Sequence, residues 1–230
     1  MNIDCTALIE EKLKERNITT EEITGIDADL LEKTVPNPDG GEDYTSYTWL
    51  RRSEKFRKIC LGKGGNDSIG YGYAGTIFSD EKYDLPIFAY DIREIKGKIL
   101  IVLDIKPVLR TDEYLAKYVE PLKKLHSEFS DLESKHLKAT WTAEFRSGYG
   151  IHCMAEKEKE ERVKEAFLSY LDLYLDFAEK AEPVPEETRK KIKEFMDYYT
   201  AVYKEKDPGA IHTIKLFGKD WAERHLEILF

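Results

Sequence analysis

Residues 4–16 place Leu8, Ile9 and Leu13 one helical turn apart between charged positions, with Asp4 ahead of them as an N-cap, so an amphipathic helix opens the chain. Asn37-Pro-Asp-Gly-Gly-Glu-Asp43 reads as a turn. After it the rhythm changes: Tyr44, Tyr47, Trp49, Phe56, Ile59 and Leu61 are aromatic or β-branched and mark strands. Gly62-Lys-Gly64-Gly65-Asn66-Asp67 reads as a further turn. Strands continue over 69–78, 87–93 and 98–105, and Ile95-Lys96-Gly97-Lys98 is short enough to turn a hairpin between the last two. Helical spacing returns from Asp112 through Tyr114, Leu115, Tyr118, Val119, Leu122 and Leu125, loosening toward Leu137. Two short strands are expected over 139–145 and 149–154. A long helix over 156–180 carries Val163, Ala166, Phe167, Tyr170, Leu171, Tyr174, Leu175 and Ala178 on one face. Pro183 and Pro185 end it, a second helix follows over 185–204, and a last helical unit starts near Asp207-Pro208.

Strands in the middle with helices before and after them predict a three-layer α/β/α sandwich, with a central, mostly antiparallel sheet flanked by helices. No repeat or linker divides residues 1–230, so one domain is expected. The chain is 41% hydrophobic and 35% charged, and no apolar run approaches the roughly 20 residues that span a bilayer. Its N-terminus lacks the basic-then-apolar pattern of a secretory leader, which makes the cytoplasm the expected location. A net charge of -9 argues against a general nucleic-acid binder. Cys5, Cys60 and Cys153 are odd in number and far apart, so neither a disulfide framework nor a CxxC metal or redox pair is indicated. The five histidines have no metal-ligand spacing.

Familiar catalytic signatures, the GxSxG elbow, the P-loop and HExxH, are missing. Gly70-Tyr-Gly72-Tyr-Ala-Gly75 imitates a dinucleotide fingerprint, but its interleaved tyrosines fit a strand better than a phosphate cradle.

The C-terminal run Leu216-Phe217-Gly218-Lys-Asp-Trp221-Ala222-Glu223-Arg224, ending in Ile-Leu-Phe230, resembles the C-terminus of ferredoxin-dependent bilin reductases. Further matches follow in chain order. They are Phe56-Arg57-Lys58, Leu85-Pro86-Ile87-Phe88-Ala89-Tyr90-Asp91, Asp104-Ile-Lys-Pro107, Phe167-Leu-Ser-Tyr170-Leu171 running to Tyr174-Leu175, and Ala181-x-Pro183. Asp207 stands ten residues before Phe217, where the family places a second aspartate.

That resemblance implies reduction of a linear tetrapyrrole with no bound cofactor or metal, electrons arriving singly from ferredoxin. The protein's task is then to place protons, and a carboxyl group beside a large apolar π-system is suited to hold one near neutral pH. Asp91 and Asp207 are the catalytic candidates. Asp207 before Pro208 also fits a helix cap, and both readings stand. Family members that form phycocyanobilin carry a pocket glutamate and histidine on the two preceding strands; here Gly62 and Ala74 occupy those positions. The resemblance therefore points to a two-electron reduction. A tetrapyrrole carrier or sensor without turnover, and a reductase of an opened chlorophyll-type macrocycle, are the alternatives.

Substrate contacts are expected from Ala74 and Phe88 and, for propionates, from Arg57, Lys58, Arg146 and His152, the last standing where family members place an arginine. Ordinary surface charge or a structural histidine accounts for the same residues. Ferredoxin is acidic, and Arg51-Arg52, Lys55, Arg57-Lys58 and Lys63 are the candidate docking face. A monomer is expected.

Overall fold

The computed structural model describes residues 1–38, 40–132 and 140–230. Helix α1 (Cys5–Glu15) is capped as expected, Asp4 Oδ1 accepting from the Ala7 amide at 2.9 Å. Two short strands and a helical turn that the pattern did not announce come next: β1 (Glu21–Glu22), α2 (Ala28–Leu31) and β2 (Glu32–Val35). The body of the sheet is β3 (Tyr44–Arg52), β4 (Phe56–Asn66), β5 (Gly70–Ser79), β6 (Ile87–Ile95), β7 (Lys98–Lys106) and β8 (Ile151–Glu156). Together they form an eight-stranded sheet of order β1-β3-β4-β5-β6-β7-β8, with β2 also paired to β3 and every pairing antiparallel. The β6–β7 hairpin turns on Lys96 (φ 51°) and Gly97 (φ 77°), the two positive φ values that match a two-residue turn to the twist of its strands.

Helices cover both faces. Side chains alternate along each strand, so the two faces have separate tasks. Toward α1 and α5 (Glu160–Lys180) point Ile59, Ile77, Phe88, Tyr90, Ile92, Ile101 and Leu103, all buried. The join is aromatic: Phe88 lies 6.0 Å from Phe167 and 5.4 Å from Tyr174, and Tyr90 lies 5.1 Å from Phe167 edge to face. Such pairs add about 0.5–1.5 kcal/mol each beyond their buried area. Lys55 closes the helix by donating to the carbonyls of Ala178 at 2.8 Å and Ala181 at 2.9 Å. The opposite face is covered by α6 (Glu186–Lys206), α7 (Gly209–Phe217) and α8 (Lys219–Leu229).

Four expectations are corrected. The pattern over 139–145 predicts a strand, but Thr140–Phe145 is a 3-10 helix, and residue 139 lies outside the described residues. Trp141 and Phe145 alternate like strand residues, yet they pack on α6, Trp141 at 4.9 Å from Tyr203 and Phe145 at 5.1 Å from Tyr199. The helix expected from Asp112 is two, α3 (Asp112–Tyr118) and α4 (Glu120–Glu128), because Pro121 sits in the first turn of the second and has no amide to continue the first. The long helix begins at Glu160, after a 3-10 turn at Lys157–Lys159. Finally, Gly62–Asn66 is strand rather than turn, the reversal falling on residues 67–69. Part of the turn read at Asn37–Asp43 and the loosening toward Leu137 likewise fall on residues outside those described.

Removing an anchor of the α5 contact is costly. Phe88→Ala is expected to lower unfolding free energy by about 3–5 kcal/mol in urea titration. Tyr174→Phe should leave it unchanged or raise it, because the buried Tyr174 hydroxyl has no hydrogen-bond partner among the described residues.

Candidate active site

Strand register aligns one row of residues straight across the sheet: Thr48, Gly62, Ala74, Asp91, Val102 and His152. Directly opposed residues of antiparallel strands point to the same face, here the one beneath α6, α7 and α8. The neighbouring rows add Ser46, Gly64, Gly72, Thr76, Ala89 and Arg93. The floor is thus made of small residues. Ala74, in the middle of the sheet, is nevertheless exposed, while Gly62, Gly72 and Asp91 are half-buried, so a cleft lies open above them. Glycine is required at specific points. A Cβ on Gly64 would come within 2.5 Å of the Tyr44 hydroxyl, and one on Gly72 within 2.9 Å of Arg93 Cβ.

Asp91 stands near the centre of this floor. Arg93, two residues along the strand and on the same face, clasps it in a bidentate pair, Nε donating to Oδ1 at 2.7 Å and Nη2 to Oδ2 at 2.6 Å. The side chains keep 30% and 38% of their exposure respectively, so the pair looks into the cleft. Sequence reasoning missed Arg93, although its i+2 spacing from Asp91 was the available signal.

Asp207 closes α6 and opens the bend into α7, its Oδ1 accepting from the Gly209 amide at 2.8 Å. The expected cap is met only in part: the carboxylate bonds the bend at Gly209, but α7 has Pro208 in its cap position and no side-chain cap hydrogen bond. Burial pushes the Asp207 carboxyl above its ordinary range, and the charge of Asp91 pushes the same way; the Gly209 amide, Arg93 and Lys106 oppose them. The two aspartates thus approach from sheet and helices closely enough to sense each other.

A buried cation supports the Asp207 side. Lys106 donates to Tyr199 at 3.0 Å and Tyr203 at 2.7 Å. Asp104 on the same strand face is wholly buried, accepting from Ser147 Oγ at 2.5 Å and the Ser147 amide at 3.2 Å, and so fixes the loop entering β8. Burial raises its carboxyl as well.

The remaining candidates separate. Ala74 lies on the floor, and His152 belongs to the row of Asp91 two strands away, but is buried. Phe88 cannot join them: strand alternation turns it to the other face, where it fills the α5 core. Lys58 shares the cleft face but donates to the Ile228 carbonyl at 3.2 Å, tethering α8, and burial lowers its pKa to about 8. Arg57 lies over the Phe78 ring at 5.2 Å. Arg146 donates to Thr142 from the loop before β8. Nor do the six basic residues of the early strands make one face. Arg51 pairs with Glu10, Arg52 with Glu21, Lys55 caps α5, and Lys63 lies over Tyr71.

Above the floor, α7 is apolar yet contains no buried residue. Ile211 is 74% and Ile214 41% exposed, and the helix touches the sheet through Phe217 and His212 against Tyr44 at 5.9 and 6.3 Å.

The sequence description of ferredoxin-dependent bilin reductases matches residues 9–230. The chain belongs to that family. Over 220 residues it is 32% identical to a 15,16-dihydrobiliverdin:ferredoxin oxidoreductase of Nostoc punctiforme, covering 88% of each chain. Over 197 residues it is 33% identical to a phycoerythrobilin:ferredoxin oxidoreductase of Gloeobacter violaceus, covering 79% of this chain and 76% of the relative. Among solved structures, phytochromobilin synthase from tomato, crystallised in complex with biliverdin, superposes with a TM-score of 0.83 at 20% identity, over 97% of this chain and 81% of that one. The expected fold is thereby matched. This bilin reductase is an oxidoreductase that depends on ferredoxin, and among its described residues no helix is long and apolar enough to cross a membrane.

The far end of the row makes a stability prediction. His225 of α8 and Thr48 lie 2.9 Å apart in a hydrogen bond, and Trp221 stacks on the imidazole at 4.4 Å. Burial lowers the His225 pKa from 6.5 to about 4. The unfolded chain therefore binds this proton at higher pH than the folded one, so the contribution is complete above about 6.5 and is lost as pH falls toward 4. Urea midpoints of the wild type should drop more steeply over that interval than those of His225→Gln.

Proposed function

We propose that this protein catalyses a two-electron reduction of a biliverdin-class linear tetrapyrrole, using reduced ferredoxin and no bound cofactor, with Asp91 and Asp207 as the proton donors. The observation that carries the reading is the row across the sheet. Within it Asp91 is the side chain able to move a proton in the centre of the open floor, and Gly62 and Ala74, at its flank, have none to give. The two relatives named for 15,16-dihydrobiliverdin and phycoerythrobilin support the substrate class.

The chemistry follows from charge. A conjugated tetrapyrrole that accepts one electron becomes a radical anion and is stabilised by protonation at carbon; a second electron and second proton complete reduction of one double bond. Ferredoxin supplies two electrons in separate encounters, and the two carboxyl groups supply two protons. The small-residue floor lets an extended, flat π-system lie directly on the strands. Its apolar surface then excludes water from the carboxyl groups beside it, which favours their protonated forms. Asp207 is already biased that way in the free protein by burial.

Purified protein mixed with biliverdin should shift the visible absorption band. Anaerobic addition of reduced ferredoxin should then yield a product reduced by two electrons. A four-electron product, or a band shift with no reduction, would refute the proposal. Asp91→Asn and Asp207→Asn keep shape while removing the proton, and each is expected to slow turnover by about 100-fold or more with the binding shift retained. In single-turnover rates the wild type should lose activity as pH rises through the elevated Asp207 pKa, because a general acid must be protonated; Asp207→Asn should abolish that limb.

A further inference from the structure

Arg93 has no place in the scheme above, yet it is the group most intimately joined to Asp91. Its fork occupies both carboxylate oxygens at 2.7 and 2.6 Å, which leaves neither of them directed at a substrate with a proton. A proton donor at this position must first lose the guanidinium. The fold makes room for that movement. Gly72 lies opposite, where a Cβ would stand 2.9 Å from Arg93 Cβ, and the Arg93 side chain is 38% exposed toward the cleft. The charged and titratable groups around the pair are Tyr44 from β3 and Asp207 from the α6–α7 bend, with Cys5 of α1 and Tyr90 of β6 reached through the sheet; Lys106 from β7 acts on Asp207, and His212 of α7 lies against the Tyr44 ring. Arginine binds a carboxylate through two parallel bonds wherever the carboxylate comes from. A linear tetrapyrrole of the biliverdin class carries two propionates of that geometry.

We propose that Arg93 is a positioning residue that exchanges partners: it clasps Asp91 in the free protein and passes to a propionate of the bound tetrapyrrole, freeing Asp91 to take a proton from water. The exchange rests on the reading of the cleft as a linear-tetrapyrrole site. Charge balances through it. The guanidinium remains paired before and after, and the released carboxylate, covered by an apolar ligand and close to Asp207, is neutralised by one proton from solvent. Loading of this proton is thereby tied to a ligand that carries the carboxylate.

The test compares biliverdin with its dimethyl ester, which keeps the π-system and removes the anionic oxygens. In weakly buffered solution near neutral pH with an indicator dye, biliverdin binding to the wild type should take up about one proton per site more than binding of the ester. The ester should bind with an absorption shift and lack that additional proton, and in Asp91→Asn the two compounds should take up equal amounts. Arg93→Gln should lose at least about 10-fold in affinity for biliverdin and little for the ester, and Arg93→Lys, which retains one cationic contact, should recover part of it. If circular dichroism shows Arg93→Gln unfolded, the Lys variant and the ester carry the test. Equal proton uptake with acid and ester in the wild type, or a difference between them that survives in Asp91→Asn, would overturn the exchange while leaving the reductase reading intact. Failure of both compounds to shift the absorption band would overturn both.

Discussion

The contact between the sheet and α5 is the constraint from which the rest follows. A strand offers side chains alternately to two faces, and a sheet whose faces both rested on small residues would bury too little apolar area to hold together. Here Phe88, Tyr90, Phe167 and Tyr174, with the isoleucines and leucines around them, concentrate burial on one side. That concentration lets the other side keep Gly62, Gly64, Gly72, Ala74 and Ala89 at positions where a packed sheet has large residues. The open floor and the dense core are two consequences of one alternation.

Electrostatics on the open face follows the same economy. Asp91 is held by an arginine of its own strand, Asp207 by the amide of its own bend, and Asp104 by the loop it anchors. Asp91 and Asp207 have partners two residues away in the chain, so neither pairing depends on the long-range helix packing that a ligand would disturb. Lys106 and its two tyrosines tie the sheet to α6 beneath Asp207, which fixes the junction from which α7 departs. Helix α7 itself, apolar and without a buried residue, stands over the floor as a wall on which Ile211 and Ile214 remain exposed.

The C-terminal run that carries the family resemblance serves this arrangement by packing. Phe217 stacks on Trp221 at 4.3 Å, Trp221 stacks on His225, and Trp221 Nε1 donates to the Asp29 carbonyl at 2.8 Å. These contacts seat α8 against α2 and the β3 end of the sheet. The signature that most readily marks the family is therefore scaffold, and the groups able to move protons lie elsewhere.

Much of the architecture could be read from the chain by itself. Period-two and period-3.6 patterns located α1, β5 to β8 and the two long helices, and Lys96-Gly97 announced its turn, because local backbone preference and burial agree at those places. The resemblance carried by Leu85 to Asp91 and by the C-terminal run directed attention to Asp91 and Asp207. Other features needed the folded molecule. Gly62 to Gly65 read as a turn because glycine breaks strands locally, whereas their strand conformation is set by pairing with β3 and β5. Phe88 sat beside Asp91 in the motif but faces the opposite way, and the basic residues of the early strands were drawn into separate local contacts. The open floor around the Asp91–Arg93 pair and the approach of Asp207 depend on register and on helix placement. Both are decided by contacts between residues far apart in the chain, which a one-dimensional pattern does not encode.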